Sequence, residues 1–205
     1  AAVGALLDET QDEAAVSIRA IADRVGVTPP SIYRHFADKD ALLSAVCANV
    51  FVDLGEGIAK AVSDAPGPID ALAAAARCYV EFGLAHPEHY RLVFMRPPPH
   101  PMGMTREEFL ASLESGACSP ADDAFSGEKL AGTQAFDTLL HLVEAVLAPI
   151  PKRRRPDAYT MTTMFWAAAH GITALRITKP DFPWPPVDEH VEAVMWPWRQ
   201  LVNAR

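Results

Sequence analysis

Within the twelve residues from Thr28 to Lys39 the chain carries two hydroxyls (Thr28, Ser31), a phenol (Tyr33), a guanidinium (Arg34), an imidazole (His35) and an ammonium (Lys39). These groups donate hydrogen bonds well to phosphate oxygens and base edges. They are not arranged for bond-breaking chemistry. No Gly-rich phosphate loop, His-Glu-x-x-His pair or nucleophile elbow occurs in the chain. A second chemical pair is Trp166 and His170, four residues apart and so on one helix face. Together they offer an apolar surface and one orienting hydrogen-bonding group. His86, Glu88 and His89 suggest a weak metal site at most, and a helix starting at Pro87 explains them better. The cysteines, Cys47, Cys78 and Cys118, are odd in number and widely spaced, which argues against a disulfide framework or a metal knuckle. The expected catalytic residues, metals and cofactors are therefore none.

The elements that must position these groups are helices. Apolar residues recur at helical spacing, Gly and Pro divide the chain into pieces of helical length, and no run alternates as a strand would. A first helix is expected over residues 1–10 and a second from Ser17 to Val25, buried through Ile18, Ile21, Ala22 and Val25. Gly26 ends it where a positive φ is needed. Thr28 caps a short third helix with Pro29 at its first position, and Asp38 caps a fourth. Ala22 is small where two helices would cross, and Ile18, Ile21, Val25, Val27, Ile32 and Phe36 are spaced to share one small core. This is the signature of a helix-turn-helix. Its second helix would present Thr28, Pro29, Pro30 and Ser31 to base edges, with Tyr33, Arg34 and His35 on the outer face. Lys39 in the first turn of the next helix opposes that helix's dipole, and makes better sense if a phosphate takes it up.

Residues 17–43, SIRAIADRVGVTPPSIYRHFADKDALL, resemble the DNA-binding domain of the TetR family. The resemblance rests on Ile21-Ala22, Gly26-Val27, Ser31-Ile32-Tyr33, His35-Phe36 and Lys39-Asp40-Ala41-Leu42-Leu43. It implies an all-α homodimer with an N-terminal three-helix DNA-binding domain and a C-terminal helical domain for effector binding and dimerisation. It also implies that Ser17, Arg19, Thr28, Pro30, Ser31, Tyr33, Arg34, His35 and Lys39 approach double-stranded DNA at a palindromic operator. The charge departs from the family pattern. Between Ala1 and Leu54 the cations are Arg19, Arg24, Arg34 and Lys39, against Asp8, Glu9, Asp12, Glu13, Asp23, Asp38, Asp40 and Asp53. Family members carry basic residues ahead of the first helix, which here would precede Ala1.

Behind the reading head, further helices are expected near residues 69–85, 87–95, 106–115, 128–148, 156–178 and 187–203, the last kinked or broken at Pro197. Their bulky side chains offer two readings, core packing or the lining of a cavity for a largely apolar small-molecule effector. The candidates for the lining are Tyr79, Phe82, Tyr90, Phe94, Phe109, Phe136, Leu140, Met164, Trp166 and His170. The Trp166–His170–Gly171 run resembles a Trp…His-Gly motif of one C-terminal subclass of the family. Small residues (Ala167, Ala168, Ala169, Gly171) and the last helix's stripe (Val191, Val194, Met195, Trp198, Leu201, Val202) point to a dimer through the last two helices, the alternative being packing within one chain. Lys152-Arg153-Arg154-Arg155 reads as a solvated turn.

The domain boundaries expected are 1–48 for the helix-turn-helix domain and 49–205 for the effector and dimerisation domain. A net charge of −8 argues against a non-specific nucleic-acid coat but leaves room for a specific reader. No apolar run of membrane-spanning length stands out, so a cytoplasmic protein without membrane partners is expected. The function expected is a non-enzymatic repressor released by its effector. The alternative is a ligand-binding or interaction protein with weak or lost DNA binding, favoured by the acidic head.

Overall fold

The computed structural model describes Val3, Leu6, Glu9, Thr10 and residues 16–96, 104–115 and 126–203. The regular structure among them is helical: α1 (Ile18–Val25), α2 (Pro29–Tyr33), α3 (Lys39–Ser63), α4 (Pro68–Ala85), α5 (Pro87–Tyr90) running into a π-helical turn (Arg91–Met95), α6 (Arg106–Ser115), α7 (Ser126–Leu147), α8 (Ala158–Thr178) and α9 (Val187–Asn203). Val3, Leu6, Glu9 and Thr10 are also helical. The all-α expectation holds. The expected proline connector at 97–101 and most of the loop at 116–127 lie outside the described residues, as does Cys118.

The chain divides into two compact units, Ala1–Val52 with Pro87–Gln134, and Asp53–His86 with Ala135–Arg205. The first unit is centred on Val16, Ile18, Ile21, Ala22, Ile32, Leu42, Leu43 and Cys47, joined by Val3, Leu6 and Leu92. Two of the six residues of the expected head core need correction. Phe36 packs against this cluster, but Val25 and Val27 are 49% and 42% exposed. Val25 ends α1 with half of its side chain uncovered, and the left-handed backbone of Gly26 (φ 72°) turns the chain so that Val27 leaves the helical period.

The second unit packs α4 against α8 and α9. Its core holds Leu72, Ala76, Val143, Val146, Leu147, Ile150, Phe165, Val191, Met195 and Trp198. The stripe on the last helix assigned to dimerisation is therefore corrected: Val191, Met195 and Trp198 are buried within one chain. Nor does Pro197 break the helix, which runs unbroken from Val187 to Asn203. Both Pro197 and Ala193, whose carbonyl it cannot bond, are exposed, so water can solvate that carbonyl.

Helix α3 is, by length and composition, apolar enough to cross a membrane, which corrects the expectation that no such run exists. Its apolar residues are used in packing: Ala41, Leu42, Leu43, Cys47, Val50 and Leu54 are buried. The basic turn of Lys152, Arg153, Arg154 and Arg155 is exposed, as expected of a solvated one. Arg155 also donates from Nε to Ile150 O (3.0 Å) and from Nη2 to Ala148 O (2.6 Å), just past the end of α7.

Candidate nucleic-acid interface and effector site

The head is built from local rules. Ser17 is the N-cap of α1, its hydroxyl oxygen accepting from Ala20 N at 3.1 Å. The N–H of Val27 donates to Ala22 O at 3.0 Å, fixing the tight turn into α2. Asp38 Oδ1 accepts from Ala41 N at 2.8 Å and starts α3. Ile32 is the buried anchor of α2. Anchored there, α2 turns the rest of its surface outward: Thr28, Pro30, Tyr33, Arg34 and His35 are exposed, and Ser31 is half-buried. Thr28 does not cap α2 with its side chain; its hydroxyl instead meets that of Ser31 at 3.0 Å. Ser17 and Arg19 are exposed on α1, and Lys39 is partly buried at the start of α3. Arg24 is engaged in an ion pair with Glu9. The nine residues assigned to DNA thus lie on or directly beside α1, α2 and the start of α3, within the first unit.

The ten candidate effector residues fall into two sets. Tyr90, Phe94 and Phe109 belong to the first unit. Tyr90 is fully buried and stacks obliquely on Phe94 (4.9 Å), which meets the edge of Phe51 on α3 at 5.5 Å. The π-helical turn carrying Phe94 also carries Leu92, which enters the core of the head. Arg96, just after the turn, reaches Asp40 of α3 at 3.7 Å. Such π turns recur at functional sites. Phe109, on α6, is half-buried.

Tyr79, Phe82, Phe136, Leu140, Met164, Trp166 and His170 belong to the second unit. Phe136 of α7 meets Trp166 (6.4 Å, edge-on) and Tyr159 (5.6 Å) of α8. His170 is half-buried, and burial holds its imidazole below the ordinary range, favouring the neutral ring. Phe82 packs on His86, whereas Tyr79 and Leu140 are buried. Met164 is 61% exposed, on the outer side of α8. Phe51 and Tyr159 escaped the sequence reading. Tyr159 carried a usable signal, since it precedes Trp166 by seven residues, two helical turns.

An N-terminal helix-turn-helix in an otherwise helical chain is the architecture of a DNA-binding transcriptional regulator. The chain matches the family described as bacterial regulatory proteins, tetR family, over residues 10–46, and the tetracyclin repressor-like C-terminal domain over residues 72–195. It belongs to the TetR family. It is 22% identical over 144 residues (69% of this chain, 73% of the relative) to the uncharacterized HTH-type transcriptional regulator YobS of Bacillus subtilis (strain 168). A protein with unknown function from Rhodococcus sp. RHA1 superposes with a TM-score of 0.69 and 26% identity, covering 98% of this chain and 91% of that one. A TetR/AcrR regulator from Thermobifida fusca YX-ER1 superposes with a TM-score of 0.59 and 18% identity, covering 98% and 93%. Family and fold are those of transcriptional regulators.

Proposed function

We propose that the chain is a cytoplasmic homodimeric repressor that holds a palindromic operator and is released when a largely apolar small molecule binds behind the reading head. The observation that carries this reading is the outward display of Thr28, Pro30, Tyr33, Arg34 and His35 on a helix pinned by Ile32, with Ser17, Arg19 and Lys39 beside it. In the proposal residues 1–48 read DNA and residues 49–205 bind effector and partner. Each unit offers its own candidate apolar wall, around Phe94 in the first and around Phe136 in the second, where His170 supplies one hydrogen bond to a ligand. The turn at Arg91–Met95 joins Phe94 to Leu92, and so offers a route from an effector to the head. A ligand acts this way only through different affinities for the bound and released states.

Dimerisation through α8 and α9 is retained in the proposal on the outward side of those helices. Met164, Leu175 and Trp196 are exposed there, and a Cβ added at Gly171 would meet nothing within 4 Å. Two-fold symmetry suits operators with half-sites about one helical turn apart.

A gel-shift titration with the DNA upstream of the coding region tests the reading. The expected result is a discrete complex that weakens steeply with salt. Tyr33→Ala and Lys39→Ala should abolish it with unchanged circular dichroism. Absence of any complex at low salt would leave the alternative, a ligand-binding protein without DNA binding, which the acidic head favours.

A further inference from the structure

We infer, resting on the DNA-reading proposal, that this head reads its half-site chiefly through the 5-methyl groups of thymine. The argument starts from what is missing. Adenine is read by Asn or Gln, cytosine by Asp or Glu, and guanine by Arg or Lys, while Ser and Thr hydroxyls discriminate less. From Val27 to His35 the sequence is VTPPSIYRH, with no Asn, Gln, Asp, Glu or Lys. Its one guanidinium, Arg34, stands at the C-terminal cap of α2, away from the end that enters the groove first. Pro29 and Pro30 have no N–H to offer. The hydroxyls of Thr28 and Ser31 face each other at 3.0 Å, so one of their two protons is engaged between them.

Beside one free hydroxyl proton, the Tyr33 phenol and the exposed His35 imidazole at the far end of the segment, the exposed surface at the entering end is apolar. Val27 is 42% exposed at the turn, Tyr33 is 55% exposed, and Pro30 is exposed between them. The same unit buries Ile18, Ile21, Ala22 and Ile32 efficiently, so these apolar groups are left out beside a working core. An apolar contact is the means by which a side chain detects thymine, whose methyl group projects into the major groove. Arg19, Arg34 and Lys39 flank this surface, and phosphates are a complement to them, which is what favours DNA as the occupant. Val27 becomes a specificity-determining residue alongside Pro30 and Tyr33.

The test uses the full chain. Duplexes retained from a random pool give a consensus half-site, and each dT of that consensus is then replaced by deoxyuridine, which removes only the methyl group. At contacted positions affinity should fall about fourfold per methyl, the value expected for one buried CH2-sized group. Val27→Ala should flatten the thymine-over-uracil preference at one position of each half-site while leaving binding to the remaining positions intact. A thymine-free consensus, or deoxyuridine duplexes bound as tightly as the originals, would overturn methyl readout while leaving DNA reading in place. Retention of no duplex at low salt would overturn both.

Discussion

Gly26 is a position where the geometry sets a number in advance. It has φ 72° and ψ 30°, in the left-handed region, and its N–H together with that of Val27 closes the carbonyl end of α1. A Cβ placed there would meet nothing within 4 Å. Steric clash therefore contributes nothing to Gly26→Ala, and only the backbone preference remains. An L-residue in this region costs about 1–2 kcal/mol. The narrower freedom of Ala in the unfolded chain offsets about 0.4–1 kcal/mol of that. The net expectation is a loss of about 1 kcal/mol, or about 2–4 °C in Tm for a chain of this size. Gly26→Asn should lose less than Ala, because Asn tolerates this region, and Gly26→Val more, because β-branching does not. Thermal unfolding followed by circular dichroism gives the order, and operator binding measured well below Tm should be unchanged for Ala. An Ala variant as stable as the parent, or one that loses more than about 3 kcal/mol, would show that the turn is not governed by backbone conformation.

Three further outcomes are expected. Met195→Ala, at a fully buried site in the second core, should cost about 2–5 kcal/mol in denaturant unfolding; Trp196→Ala, one residue on and 63% exposed, should change chain stability by less than about 0.5 kcal/mol and instead weaken self-association in sedimentation. Burial and the Arg176 guanidinium hold the His190 imidazole below its ordinary range, and its Nδ1 lies 3.3 Å from Arg176 Nη2. The folded chain then binds fewer protons there than the unfolded chain, so stability is full above about pH 6.5 and falls as pH drops below it. His170 adds in the same direction, the exposed His141 opposes it, and His190→Asn should flatten the slope of Tm between pH 7 and 5. Arg155→Ala should cost about 1 kcal/mol by uncovering the carbonyls of Ala148 and Ile150, with operator affinity unchanged; a fall in affinity without a fall in Tm would assign Arg155 to DNA instead.

Much of the head was legible in the sequence because its determinants are local. Ser17, Gly26 and Asp38 act on backbone groups within five residues of themselves, and those caps are seen where their residue types place them. Apolar periodicity marked Ile18, Ile21, Ala22 and Ile32, and one buried face on each short helix leaves the other residues outside. The same reasoning misplaced Val25 and Val27: Val25 keeps the helical register of Ile18 and Ile21 but lies half exposed at the end of α1, and the left-handed turn at Gly26 takes Val27 off the helical period.

The sequence by itself thus determined the helices, the turn and the polar and apolar groups displayed beside it. Only the tertiary structure decided what each apolar face packs against. The stripe of Val191, Met195 and Trp198 is equally apolar whether it meets Leu72 and Val143 of its own chain or a second copy, and its burial in the chain's own core shows the former. The split of the aromatic residues into one set with Phe51 and another with Tyr159 was likewise beyond the sequence. Hydrophobic burial is non-directional, so a stripe specifies that it will be covered and leaves its partner to the packing of the whole chain.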